Sequence, residues 1–157
     1  MIKISLITIG KQKAGPHQEL CEEYFKRLKS DISFKIIELA ETPFRSIAEK
    51  DKVLKTETEK IKKTIPADSF LIVLDAAGKT FTSEKFAEQL DYLSEGGARP
   101  LTIIIGGPLG LSDEIKKEAN LLLSLSLMTM PHDLARVVLL EQLYRAGTIL
   151  KGKVYNY

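Results

Sequence analysis

Strands alternating with helices along one chain predict an α/β protein: a largely parallel sheet with helices on both faces. Three features carry that expectation. The runs Ser69 to Asp75 (SFLIVLD) and Leu101 to Ile105 (LTIII) are nearly continuous in apolar residues, as strands buried on both faces of a parallel sheet are. The stretches between strand-like runs carry apolar residues at helical spacing. No repeat, low-complexity segment or linker interrupts the 157 residues, so 1–157 reads as a single domain.

The first strand, Ile2 to Ile9, is β-branched and alternating, and Gly10 ends it. After a loop at Lys11 to Gly15, Pro16 opens a helix whose apolar face carries Leu20, Cys21, Tyr24, Phe25 and Leu28. Cys21 on that face reads as a core thiol rather than a nucleophile, and His17 as a surface residue. Ser33 to Ala40 forms the second strand, and Pro43 breaks the chain after it. Ile47 to Ile65 reads as a charge-rich helix with a thin stripe of Ile47, Leu54, Ile61 and Ile65; its lysines form a solvated face. The strand Ser69 to Asp75 leads into a turn at Ala76 to Thr80. Ser83 then caps a helix lined by Phe86, Ala87, Leu90 and Leu93, and Gly96-Gly97 closes it. The strand Leu101 to Ile105 runs into Gly106-Gly107-Pro108-Leu109-Gly110, after which Ser112 caps a short helix. Leu121 to Leu127, apolar residues alternating with serines, reads as the last strand. Pro131 opens a long helix running towards Leu150.

A net charge of +2 tolerates a polyanionic partner but lacks the basic excess of a dedicated DNA binder. A single cysteine excludes a disulfide within the chain and a cysteine-rich metal site, which suits a reducing, cytoplasmic setting. No signal peptide precedes the first strand, and no apolar run is long enough to span a membrane.

Several motifs are decoys. Gly78-Lys79-Thr80 resembles the end of a P-loop, but the glycine required five positions earlier is Val73, inside a strand, so ATP or GTP hydrolysis is discarded. The Rossmann G-x-G-x-x-G fingerprint and the G-x-S-x-G elbow are absent. With two histidines and one cysteine, no zinc-ligand spacing is present. Open α/β sheets bind ligands beyond the carboxyl ends of their strands. Three such ends stand out: Leu74-Asp75, Gly106-Gly107 and Leu127 to Met130. The glycines at Gly106 to Gly110 serve either close approach to a ligand or a tight turn. Leu125 to Met130 fits an adenine or thioether pocket, or plain core.

The final helix is apolar almost all round, through Leu134, Ala135, Val137, Val138, Leu139, Leu140, Leu143, Ala146 and Ile149, so it must be buried on most sides. Yet it carries His132 and Arg136, four residues apart on one face. Arginine cannot shed its charge, so an anion must meet Arg136. The choices are an intramolecular carboxylate, Asp133 or Glu141, or a group on a ligand.

Three segments, VLDAAGK (Val73 to Lys79), IIIGGPLGL (Ile103 to Leu111) and LSLSLMTMPHDLARVVLLEQLYRA (Leu123 to Ala146), together resemble the RlmH family. These are small pseudouridine N3-methyltransferases of large-subunit ribosomal RNA, in the SPOUT or trefoil-knot class. The resemblance covers essentially the whole chain. It implies a C-terminal knot, a homodimer with a substrate site built from both chains, and S-adenosylmethionine (SAM) as methyl donor without a metal. It implies cofactor contacts at Leu74, Gly106, Leu125, Ser126, Leu127, Met128, Thr129 and Met130, with His132 and Arg136 beside the methyl-transfer site. The expected reaction is in-line attack of a pseudouridine N3 in 23S rRNA on the SAM methyl. His132 would accept the N3 proton or orient the base, and Arg136 would meet a phosphate or the SAM carboxylate. Related chains end in Tyr-His and a basic residue, whereas this one ends Tyr155-Asn156-Tyr157, and Asn156 cannot act as a base.

Ribosomal RNA is held mainly through phosphates, so a dimer would pool Lys11, Lys13, Lys26, Arg27, Lys151 and Lys153 and read an assembled ribosome. DNA and membranes are not expected partners. The rival reading is a non-catalytic α/β module that binds a nucleotide-like metabolite, in which His132 has no role.

Overall fold

The computed structural model describes residues 1–95 and 99–153. Gly96-Gly97 and the Tyr155-Asn156-Tyr157 tail lie outside the described residues. Five strands, β1 (Ile2–Ile9), β2 (Ile32–Leu39), β3 (Phe70–Lys79), β4 (Leu101–Ile105) and β5 (Leu121–Leu123), form one sheet in the order β2-β1-β4-β3-β5. All four neighbouring pairs are parallel, as the α/β reading expects.

Alternation along each strand sorts side chains between two faces. Ile4, Leu6, Ile72, Leu101, Ile103 and Ile105 join one core, and Ile7, Ile9, Leu71, Val73 and Ile104 join the other. Three helices, α1 (Pro16–Leu28), α3 (Ser83–Glu95) and α5 (His132–Leu150), cover the first face. Two, α2 (Lys50–Lys62) and α4 (Asp113–Glu118), cover the second through Ile61 and Ile115. Helix α5 packs between α1 and α3 against the sheet. That position explains why it is apolar nearly all round. Cys21 is buried in the same layer, where desolvation pushes its thiol pKa up, as befits a core residue.

Several boundaries differ from the sequence reading. The stretch 47–65 splits into a 3-10 turn at Ile47–Glu49 followed by α2. Its buried stripe is Val53, Glu57, Thr58 and Ile61, while Ile47 is exposed. Two polar groups are tolerated in that stripe because each has a partner: Glu57 accepts from Thr42 N–H at 3.0 Å, and Thr58 Oγ1 lies 2.6 Å from Ser112 Oγ. Strand β3 continues through the expected turn to Lys79, because a register slip between Leu74 and Lys79 lets both pair with Leu123. Strand β5 stops at Leu123 rather than Leu127. Ser124 leaves the ladder there, and its hydroxyl is within bonding distance of the carbonyls of Ala76 and Ser126. Thr82, not Ser83, caps α3, accepting from Lys85 N–H, while the Ser83 hydroxyl turns to Gln142. Pro131 sits at the N-cap of α5, one residue before the helix.

Leu139 is completely buried where α5 meets the sheet. Leu139→Ala is expected to lower unfolding free energy by about 2–5 kcal/mol in urea titrations, through lost transfer energy and the cavity left behind.

Candidate functional site

Beyond the carboxyl ends of β3, β4 and β5 lies a cavity of about 680 Å³. Three chain segments wall it: Leu74 to Ala76 where the register of β3 slips, Ile105 to Leu111 at and after the end of β4, and the stretch from Leu123 to Pro131. His132 and Ala135 close it from the first turn of α5. The sheet places it there because the chain leaves every parallel strand at the same edge.

Local hydrogen bonds set the shape of each wall. Ser124 N–H donates to the Lys79 carbonyl, and the Ser126 hydroxyl accepts from Met128 N–H. Glycines do the rest. A Cβ on Gly106 would lie 2.8 Å from Leu111 Cγ and 3.0 Å from the Gly110 carbonyl carbon. Gly110 has φ +79° and donates to the Gly107 carbonyl at 3.0 Å. The tight-turn reading therefore accounts for these glycines, and the turn they make forms one wall of the cavity. A Cβ on Gly78 would lie 2.7 Å from the Leu122 carbonyl carbon, so that glycine serves the β3–β5 approach rather than a phosphate. Asp75 supplies the charge on the wall. Its carboxylate accepts from Ala77 N–H and pairs with Lys116 Nζ at 2.6 Å. Burial pushes its pKa up, but the Lys116 and Ala77 bonds outweigh it, and the net shift is downward.

Seven of the eight expected cofactor residues line the cavity: Leu74, Gly106, Leu125, Ser126, Met128, Thr129 and Met130. Leu127 does not; its side chain points out of the loop, 80% exposed. Asp75, Pro108, Leu109 and Leu111 line it and were not in the expected set. Their signal was their place beside the strand ends already singled out.

His132 faces the cavity with 14% of its side chain exposed. Its Nε2 is 3.3 Å from Asp133 Oδ1, and its Nδ1 is 3.9 Å from Glu41 Oε1. The ring rests on Gly10, whose φ is +99° and where a Cβ would stand 2.8 Å from His132 Nε2 and 2.5 Å from Glu41 Oε1.

Arg136 is not among the residues that line the cavity. It is 3% exposed, and its anion is neither Asp133 nor Glu141 but Glu38, at 2.7 Å. Its other terminal nitrogen donates to Thr8 Oγ1 at 2.7 Å. Thr8 and Glu38 are register partners on β1 and β2, so both face α5 side by side. Glu38 also accepts from Gln12 N–H at 3.0 Å. Glu141 is instead paired with Arg145 along α5. Two of the expected RNA-binding cations are engaged within the chain: Arg27 with Glu23 and Lys151 with Asp31.

Arg136→Met is expected to cost about 3 kcal/mol in denaturant titrations, the low end for a broken buried pair because Glu38 keeps 29% exposure. Burial pushes the Glu38 pKa up, yet the bonds from Arg136 and Gln12 bring it below its ordinary value. Its stabilisation is thus complete above the unfolded value of about 4.3 and lost as pH falls through the lower folded value. Stability measured from pH 6 down to pH 2, roughly spanning that window, should fall more steeply in the wild type than in Glu38→Gln.

Residues 2–156 match the model of a family described as predicted SPOUT methyltransferase. A ribosomal RNA large subunit methyltransferase H of Streptococcus pneumoniae strain CGSP14 is 44% identical over 158 residues, covering 99% of each chain. The protein of the same name from strain ATCC 700669 / Spain 23F-1 matches to the same extent. Among solved structures, a probable methylase family protein from Haemophilus influenzae Rd KW20 matches with a TM-score of 0.46 at 16% identity, over 99% of this chain and 71% of that one.

Proposed function

Because the chain belongs to the SPOUT methyltransferase family, we propose that it transfers a methyl group from SAM to N3 of a pseudouridine in 23S large-subunit rRNA. The observation that carries this reading is the cavity at the ends of β3, β4 and β5 with His132 at its edge. Leu74, Ile105, Leu111, Leu125 and Met130 offer apolar surface for an adenine ring and a thioether. The turn at Gly106 and the loop at Ser126 to Met130 present backbone groups, and Asp75 a carboxylate, to the polar parts. The volume lies within the range of small-molecule sites. When bound, SAM supplies a methyl group activated by a sulfonium, so no metal is needed.

The chain's own residues have two tasks. They must hold the base in line with the methyl group, and they must take the N3 proton. The second is assigned to His132, which lines the cavity. Arg136 acts through position: by holding Glu38 and Thr8 it fixes the start of α5 and hence His132.

The active form is a homodimer. Leu127 and Met128, 80% and 78% exposed beside the cavity, and the exposed Leu134 give a second chain an apolar surface to cover. The trefoil knot of the family belongs to the same proposal. Lys11, Lys13, Lys26 and Lys153 are the basic groups assigned to rRNA phosphates. No helix among the described residues is long and apolar enough to cross a membrane, and the reaction is assigned to the cytoplasm.

The test is incorporation of labelled methyl from SAM into ribosomes lacking the modification, with the product mapped by mass spectrometry. One methyl on a large-subunit pseudouridine is expected. Failure of both incorporation and SAM binding overturns the reading. His132→Ala should lower kcat by about 10²- to 10⁴-fold while calorimetric SAM binding stays within about threefold, the scatter expected for a single contact removed from the cavity's edge. A non-catalytic module would show no such loss.

A further inference from the structure

We infer that the cleft between α3 and the end of β3 receives a second, unpaired base of the RNA substrate, apart from the one that is methylated, an inference that rests on the proposed rRNA reading. Lys85, Glu88, Gln89 and Tyr92 lie three and four residues apart on α3 and form one stripe. Phe86, Ala87 and Leu90, on the opposite side, are buried in the core. The stripe faces Lys79 to Thr82, where the chain leaves β3, across a cavity of about 510 Å³. That cleft adjoins the frame of the methyl-transfer cavity. Lys79 pairs in the sheet with Leu123, which lines the larger cavity, and its carbonyl accepts from Ser124 N–H.

Some of the polar groups around the cleft are already engaged. The Thr82 hydroxyl accepts from Lys85 N–H, and Lys85 Nζ pairs with Glu88 at 2.7 Å. Three side chains are not. Tyr92 is 73% exposed, against 39% for Phe44, and its ring meets no other ring among the described residues. Gln89 is half-buried, and its amide has no hydrogen-bond partner among the described residues. Lys79 has no carboxylate partner among them either; its ammonium lies over the Phe81 ring, 4.8 Å from the centroid.

A bare aromatic ring, an unpaired cation and an unused amide around one cleft are the groups that bind single-stranded nucleic acid. The ring stacks on a base, and the cation meets a phosphate. The amide sets a donor and an acceptor side by side against a base edge. The Phe81 face is covered by Lys79, so stacking falls to Tyr92. Glu88, the one carboxylate in the lining, is paired with Lys85 and leaves Lys79 as the unbalanced charge, which suits a polyanion. A base within a duplex has both faces stacked, so the occupant is a base splayed out of a loop or bulge of the folded rRNA.

The experiment measures Kd of the full-length protein for unmodified ribosomal large subunits by co-sedimentation, beside methyl incorporation from SAM. In Tyr92→Ala, Kd and the KM for ribosomes should rise by about five- to a hundredfold, the worth of one base–aromatic stack, with kcat and calorimetric SAM binding unchanged. Tyr92→Phe keeps the stacking face and should stay within about twofold of the wild type. Lys79→Gln should reduce the slope of log Kd against log salt by about 0.7, the value for one phosphate contact on a single strand. Circular dichroism and sedimentation check fold and oligomeric state. A Tyr92→Ala protein that binds within about twofold of the wild type overturns the inference, that change being well below one stack. So does a Tyr92→Phe protein that loses as much as Tyr92→Ala, which would assign the contact to the hydroxyl, or a change of oligomeric state in Tyr92→Ala, which would assign the cleft to a second copy of the chain. Ribosome binding that depends on Tyr92 without methyl incorporation overturns the methyl-transfer reading alone. A wild type that does not bind large subunits overturns both.

Discussion

One charge that cannot be neutralised governs the site. Arg136 sits in the middle of an otherwise apolar helix, 3% exposed, and the desolvation it suffers must be offset by bonds. Those bonds reach two neighbouring strands at once. Glu38 on β2 and Thr8 on β1 are opposite one another in register, and Arg136 spans them. Thr8 in turn donates to the Gly10 carbonyl at 3.2 Å. The guanidinium thus reaches, through one hydroxyl, the glycine on which the His132 ring lies one helical turn away. The bonds to Glu38 and Thr8 tie α5 to β2 and β1 at that point.

The cavity follows a different logic. Its walls are loops whose form comes from main-chain contacts: the serine hydroxyls of Ser124 and Ser126 closing on backbone groups, and glycines at Gly106 and Gly110 that allow a turn no other residue would make. A site of this kind is largely formed before anything binds, which lowers the ordering cost of binding. The single charged wall residue is restrained as well, Asp75 being held by Lys116 and Ala77.

The α/β class, the parallel sheet and the loops that bear the cavity could be read from the sequence because they depend on local pattern: continuous apolar runs, helical spacing, glycines after strands. Seven of the eight residues expected to contact a cofactor line the cavity for the same reason, since segments at the ends of parallel strands share an edge. What could not be read was set by distant partners. The anion for Arg136 lies 98 residues away, and Asp133 or Glu141, the nearby choices, were wrong because a helix pairs with what it packs on. The stripe of α2 was misplaced because Glu57 and Thr58 look like surface residues until Thr42 and Ser112 are brought to them. Leu127 lies outside the lining because its side chain is exposed while its neighbours Ser126 and Met128 line the cavity. Glu41 carried no signal at all, since only the approach of Gly10 and α5 brings it to His132.

The separations spanned by Arg136, 98 residues to Glu38 and 128 to Thr8, also determine when the site exists. Contacts so distant along the chain form late. While the C-terminal helix is still being synthesised, β1 and β2 lack the cation that joins them, and the loop from Leu123 to Pro131 has nothing to end on. The nascent chain emerges beside ribosomal RNA, yet it has no assembled site until its last helix has left the exit tunnel.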